Sequence, residues 1–254
     1  DPSIVERSGY FAGSDERRSS ELRAALADDT VDAIVAVRGG FGAARLLAEL
    51  DPQRIAQQPK LLVGFSDVSA LHALWARAGL ASIHGAMVAA LGRSDALRIA
   101  RWQRALEGEL PPQLNGLSTL APGRARGPLL GGNLAVLTSL IGTPYLPDFT
   151  GCVLFLEDIA ERPYRIDRML TTWQQAGVLQ RPAAIALGAF TDCEPGTDGV
   201  PVDRVLQERL GGLGIPVVSG VPAGHLDDNL ELPLGAYVEL DAGSGTIAFE
   251  GGYA

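Results

Sequence analysis

The segment Val63-Gly64-Phe65-Ser66-Asp67 sets a serine hydroxyl where it could act as a nucleophile. The apolar run Lys60-Leu61-Leu62-Val63 reads as a buried strand, and Val68, Leu71, His72, Leu74 and Trp75 follow at helical spacing. A serine in a tight strand-to-helix turn is lifted out of the sheet toward solvent. The backbone N–H after it, that of Asp67, is then free to stabilise an oxyanion. The usual Gly-x-Ser-x-Gly spelling is absent, and a serine here can equally cap the following helix. A serine nucleophile also needs a base, and the chain has three histidines. His72 lies on the helix after Ser66 and is expected to point elsewhere. His84 ends the strand-like Ser82-Ile83-His84 and reads as a hydrogen-bonded structural histidine. His225, in the polar loop 222–229, suits a general base. Glu157, after the apolar strand 152–156, is the favoured acid to orient that base, with Asp158 and Asp67 as rivals. Its other use is to cap the next segment.

Arg38-Gly39-Gly40-Phe41-Gly42 follows the apolar strand 31–37. Two glycines let the backbone approach a reacting carbonyl and direct an N–H at it, so the loop reads as half of an oxyanion hole, with Gly40 the favoured donor. A phosphate cradle is the other use of such a loop, but neither a Gly-Lys-Ser/Thr motif nor a full dinucleotide fingerprint is present. Arg38 is a candidate for binding a substrate carboxylate, or a loop brace tied to a carbonyl. No Cys/His cluster has metal-ligand spacing, and the serine chemistry calls for no metal and no organic cofactor.

The elements that must position these residues alternate. The 254-residue chain reads as a helix at 15–28 capped by Ser14, a strand at 31–37, a helix at 43–50, a strand at 60–65, a helix to about residue 79 and a strand at 81–84. This rhythm predicts an α/β fold with a parallel sheet covered on both faces. Ligands bind such sheets beyond the carboxyl ends of the strands, where Gly39-Gly40 and Ser66 both fall. A helix at 98–106 precedes a Pro-, Gly- and Asn-rich stretch at 110–127, read as a crossover. Residues 127–133 then open a helix through Leu140. Strands are expected at 152–156, 183–187, 217–218 and 237–240, and a helix at 165–176. The division that follows is a nucleophile domain at 1–95, a crossover at 96–126 and a second unit at 127–254. A net charge of −9 argues against a nucleic-acid partner, and no apolar run is long enough to cross a bilayer as a helix. Cys152 and Cys193 form no spaced motif, which points to a reducing compartment. Lys60 is the only lysine, and the arginines are interleaved with acids as a compositional bias. The chain opens Asp1-Pro2-Ser3 rather than on Met, so upstream sequence is expected.

The motifs Gly64-Phe65-Ser66-Asp67, Leu156-Glu157-Asp158 and Pro222-Ala223-Gly224-His225 occur in one order and context. With Gly9-Tyr10-Phe11-Ala12-Gly13, Arg38-Gly39-Gly40-Phe41-Gly42, Gly131-Gly132-Asn133-Leu134 and the segment from Pro163 to Leu170, they resemble the LD-carboxypeptidases, a family of serine peptidases. The resemblance runs from Gly9 to the C-terminus. It implies a Ser66–His225–Glu157 triad, a flavodoxin-like N-terminal domain bearing the serine, and a smaller mixed α/β C-terminal domain bearing the acid and base. It further implies a small-peptide substrate and release of the terminal D-alanine from muropeptide tetrapeptides in the bacterial cytoplasm during cell-wall recycling. A sister branch cleaves peptidyl-nucleotides of the microcin C type, and the 163–170 segment looks more like the wall-recycling branch. A homodimer stays open, since no residue pattern decides it. Family members carry a further strand and helix ahead of the Gly9 segment, and the natural protein is expected to do so.

Overall fold

A computed structural model describes residues 6–251, so the opening Asp1-Pro2-Ser3 lies outside the description. Helix α1 (Asp15–Ala27) starts where expected: the Ser14 hydroxyl accepts from the Arg17 N–H, and Asp15 and Glu16 complement the positive end of the helix. Strands β1 (Ala33–Val35), β2 (Leu61–Gly64) and β3 (Ser82–His84) pair in parallel in that order. Between β1 and β2 lie a 3₁₀ segment, Ala43–Glu49, and α2 (Pro52–Gln57), which the Asp51 carboxylate caps. The helix expected at 43–50 is therefore a tighter turn, held by its N-terminal attachment described below. After β2 come a short 3₁₀ turn, Ser66–Val68, and α3 (Ser69–Arg77), buried along most of its length. Trp75 on α3 is fully buried, and its indole N–H donates to the Lys60 carbonyl, pinning the helix to the start of β2. Helices α4 (Val88–Leu91) and α5 (Ala96–Leu106) follow β3.

The expected crossover is more ordered than its composition implied. It contains β4 (Ser118–Ala121), and β5 (Arg124–Asn133) begins before residue 127. Helix α6 (Leu134–Ser139), β6 (Val153–Ile159), α7 (Pro163–Gln175), β7 (Ala184–Thr191), α8 (Val202–Leu210) and β8 (Val217–Ser219) complete a parallel β5-β6-β7-β8 core. After β9 (Leu232–Leu234), strands β10 (Tyr237–Asp241) and β11 (Thr246–Glu250) extend the β5 edge antiparallel, and β4 closes the β8 edge. The sheet curls far enough for Leu114 and Leu117, just before β4, to bond to Ile247 and Gly245 beside and on β11. The curl leaves little open edge.

Sequence reasoning missed α2, α4, α8, β4, β9 and β11. Leu232-Pro233-Leu234 is too short and carries a proline, which sits poorly in an interior strand. It pairs antiparallel with β3 as an edge of the first sheet, Leu232 opposite His84. The next two residues bond across to the second sheet: Gly235 N–H to the Leu129 carbonyl, and Leu129 N–H to that of Ala236. One segment of the second unit thus completes the first sheet and fastens it to the other. No helix among the described residues is long and apolar enough to cross a membrane.

Candidate active site

Ser66 leaves the carboxyl end of β2 with φ of 63°, a left-handed conformation that side chains other than glycine rarely adopt. Holding it there costs about 1–3 kcal/mol, which the surroundings must supply. Two attachments do so. The Val68 N–H donates to the Phe65 carbonyl, and the Asp67 carboxylate accepts from the Ala43 N–H at 2.8 Å. The second bond caps the 3₁₀ segment and draws the Gly39–Gly42 loop over the serine. A Cβ on Gly39 would sit 3.2–3.3 Å from Ser66 Cβ, Ser66 Oγ and Met87 Cε, so only a bare backbone fits there comfortably. Asp67, a rival for the orienting acid, is thus occupied elsewhere. Among the described residues, the N–H groups of Gly39, Gly40 and Asp67 have no hydrogen-bond acceptor. Arg38 folds back and donates to the Gly39 carbonyl at 2.8 Å, the contact of a loop brace.

His225 reaches the serine from the second sheet. Its Nε2 lies 3.1 Å from Ser66 Oγ, and its Nδ1 lies 2.7 Å from Glu157 Oε2. The carboxylate fixes the proton on Nδ1, so Nε2 is free to accept from the serine hydroxyl. The loop is held at three points: the Thr191 hydroxyl donates to the His225 carbonyl, the Gly224 N–H donates to Asn229 Oδ1, and the Ala189 N–H donates to the Ala223 carbonyl. Gly224 has φ of 123°, and a Cβ on it would lie 3.0 Å from Glu157 Oε2. The glycine therefore lets the loop settle onto the carboxylate. The Phe65 ring meets the His225 ring edge-on at 4.9 Å between centroids.

Glu157 sits in β6, where the pairing with β7 shifts register between Leu156 and Asp158. Such irregularities re-aim side chains, and here Glu157 and Asp158 diverge. Asp158 accepts from Asn133 Nδ2 and from the Ala135 and Ile159 N–H groups, so its oxygens serve the start of α6 rather than a histidine. Burial pushes its carboxyl up to about 6 against those donors. Glu157 is fully buried. Burial alone would raise its carboxyl, but the hydrogen bond with His225, with His84 further off, outweighs that and holds it down at about 2. Glu157 is therefore a carboxylate at any physiological pH.

The other histidines fall as follows. His72 points away from Ser66. Its Nε2 lies 2.9 Å from the Gly64 carbonyl and its Nδ1 2.8 Å from Ser82 Oγ, and burial pushes it down to about 3, so it stays neutral. His84 is buried as expected of a structural residue, but it is not hydrogen-bonded: neither ring nitrogen has a hydrogen-bond partner. Among the described residues no three His, Cys, Asp or Glu side chains are grouped to hold a metal ion.

A cleft of about 680 Å³ opens beside His225, lined by Phe65, Ile159, Leu226, Arg93, Arg98 and Arg101 among others. Arg98 is paired with Asp95 and Asp228, and Arg101 with Asp228 and Glu231. Arg93 makes no ion pair among the described residues, and sequence reasoning did not single it out, since nothing in Leu91-Gly92-Arg93-Ser94 marks it. A second cleft of about 670 Å³, lined by Lys60, Leu80 and Gly235 at the opposite ends of β2 and β3, holds none of these groups. The arrangement at the first cleft can deprotonate a hydroxyl, deliver it to a carbonyl and stabilise the resulting imidazolium.

Comparison with known proteins identifies the family. Family models for the LD-carboxypeptidase N-terminal and C-terminal domains match residues 1–85 and 126–240. A putative carboxypeptidase of Synechocystis is 42% identical over 96% of this chain and 81% of its own length. The murein tetrapeptide carboxypeptidase of Pseudomonas aeruginosa is 33% identical over 94% of this chain and 81% of its own. The crystal structure of muramoyltetrapeptide carboxypeptidase from Oxalobacter formigenes superposes with a TM-score of 0.83 at 33% identity, covering 95% of this chain and 86% of that one. With both domain models matched in order and similarity along nearly its whole length, the chain belongs to the LD-carboxypeptidase family.

Proposed function

We propose that this protein hydrolyses the bond between the L-centre of a diamino acid and a terminal D-alanine in muropeptide tetrapeptides. The observation that carries the reading is the continuous Ser66–His225–Glu157 chain of contacts at 3.1 and 2.7 Å across two sheets. Ser66 Oγ attacks the penultimate carbonyl while its proton passes to His225 Nε2. The Asp67 and Gly40 N–H groups receive the oxyanion. Collapse breaks the C–N bond, and His225 returns the proton to the leaving D-alanine amine. Water, deprotonated by the same histidine, then releases the acyl group from Ser66. Glu157 keeps His225 in the required tautomer and stabilises the imidazolium. The free carboxylate of the substrate has two cations at hand: Arg93, unpaired at the cleft, and Arg38, which would have to leave the Gly39 carbonyl. The two cysteines are buried and unpaired, which supports a cytoplasmic site of action.

Turnover of an L-Lys–D-Ala or diaminopimelate–D-Ala tetrapeptide tests the reading. Wild-type protein should release D-alanine, the isomer ending in L-alanine should be refused, and Ser66→Ala should lose several orders of magnitude in kcat with its fold intact. Retention of more than about a tenth of turnover by Ser66→Ala would remove the nucleophile assignment. Faster cleavage of a peptidyl-adenylate mimic than of the tetrapeptide would overturn the substrate.

A further inference from the structure

Glu157 has two carboxylate oxygens, and only Oε2 is engaged by His225. Oε1 is buried and has no hydrogen-bond partner. His84 Nε2, itself buried and unpartnered, lies 3.8 Å away. Two buried polar groups left unpaired each cost free energy, and here the donor and the acceptor face each other across less than 1 Å of excess distance. The imidazole has little freedom to go elsewhere. It packs edge-on against Phe155 at 5.0 Å between centroids and lies tilted against Phe65 at 5.7 Å. Its backbone is paired on both sides, with Gly64 in β2 and Leu232 in β9.

Resting on the triad reading above, we propose that His84 is a positioning residue. It carries its proton on Nε2 and donates it to Glu157 Oε1 as the site closes on substrate, holding the carboxylate so that Oε2 stays on His225. The contact joins the sheet that carries Ser66 to the strand that carries Glu157. It thus aligns the nucleophile with its base as well as orienting the acid. A carboxylate gripped at one oxygen can rotate, and a grip at both cannot. The titratable groups around His84 leave this role to it: His72 is neutral and committed to Gly64 and Ser82, Glu231 beside Gly85 is paired with Arg101, and His225 is engaged at the other oxygen of Glu157.

The test compares His84→Leu, which keeps bulk but no donor, with His84→Gln, which restores a neutral donor near the Nε2 position. His84→Leu should lower kcat about 10- to 100-fold, the effect of losing a hydrogen bond to a charged group, with KM little changed. Its acid limb of kcat, which reports the substrate-bound state, should move to higher pH, because a carboxylate with one donor fewer binds the His225 proton more tightly. His84→Gln should recover most of kcat and return the limb. A merely structural histidine would lower stability in both variants without separating them. Equal kcat in His84→Leu and wild type, or no difference between Leu and Gln, overturns the proposal. Should His84→Leu fail to fold, histidine ¹⁵N spectra of the wild-type protein decide: an Nε2–H tautomer whose signal moves in Glu157→Gln supports it, and an Nδ1–H tautomer overturns it. Ser66→Ala is assayed alongside. If that variant loses turnover while His84→Leu does not, the positioning role falls and the triad stands. If Ser66→Ala keeps turnover, the triad itself has failed.

Discussion

Ser66 holds a strained backbone conformation because its neighbours leave no other. Asp67 spends its carboxylate on Ala43, so one residue ties the nucleophile turn to the glycine loop while its own N–H stays unbonded. The serine was legible in the sequence because a glycine-flanked strand end followed at once by a helical pattern is a local signal. The strain was not, since a positive φ leaves no mark on residue type. Loop and strand-end positions favoured His225 and Glu157 but left Asp158 and Asp67 open, and only the resemblance implied the three as one set, since their contacts span 68 and 159 residues of chain, beyond any local pattern. Arg93 was not legible at all, because an arginine near a helix end looks like any other. Its unpaired state at the cleft gives a prediction. Arg93→Ala should raise KM for a tetrapeptide about 10-fold or more with kcat nearly unchanged, and the effect should vanish for a substrate whose terminal carboxylate is amidated. Steady-state kinetics on the two substrates check this, and an equal KM in variant and wild type would transfer the carboxylate contact to Arg38 or to backbone amides.

The His225 loop and the end of β6 work as elements, and their geometry can be disturbed without touching the triad side chains. Gly224→Ala places a methyl against Glu157 Oε2 at a backbone angle that alanine avoids. The expected result is a stability loss of about 1–3 kcal/mol and a kcat loss of about 100-fold or more, as the imidazole is lifted off its carboxylate. Denaturant unfolding and kcat, measured together, separate the two effects. Sequence periodicity found β6 but not its register shift, which depends on pairing with β7. That shift sends Asp158 to the start of α6, where burial raises it from 3.8 to about 6. A carboxyl raised in the folded state binds its proton more tightly there than in the unfolded chain. Its stabilising contribution is complete below about pH 4 and is lost as pH rises through about 6. Glu157, held at about 2, has the opposite sign: its contribution is present above about 4.5 and is lost only as pH falls toward 2. Asp158→Asn should therefore remove a fall in stability between pH 4 and 6, seen as a flatter unfolding free energy across that window. An unchanged slope would mean that the three N–H donors already keep Asp158 ionised.

At the scale of the whole molecule, the reading of a first unit, a crossover and a second unit carries no account of how the parts depend on one another. The family models likewise name an N-terminal and a C-terminal domain. The packing joins them in three ways. Leu232–Leu234 from the far end of the chain completes the first sheet, and Gly235 and Ala236 bond to β5 in the second. The Ser69 hydroxyl at the start of α3 accepts from the Asn133 N–H, at a spot where a Cβ on Gly132 would lie 2.5 Å from that oxygen. The largest hydrophobic core runs without a break from Leu62, Leu74 and Trp75 to Leu134, Phe149 and Trp173. None of this was legible, because it rests on a short proline-containing strand and on contacts between distant segments. The proposed active site, with its nucleophile on one sheet and its acid and base on the other, needs such rigidity, since misplacement by about 1 Å can cost 100-fold in rate. Chains with separable domains commonly unfold in steps. Here the shared core and the shared strand should make unfolding one event: loss of activity, tryptophan fluorescence and far-ultraviolet circular dichroism should coincide along a urea gradient. Trp75 and Trp173, both fully buried, report one from each half. In a Trp102→Phe background, a further Trp173→Phe or Trp75→Phe change isolates each signal, and midpoints that differ between the two would show that the halves unfold independently.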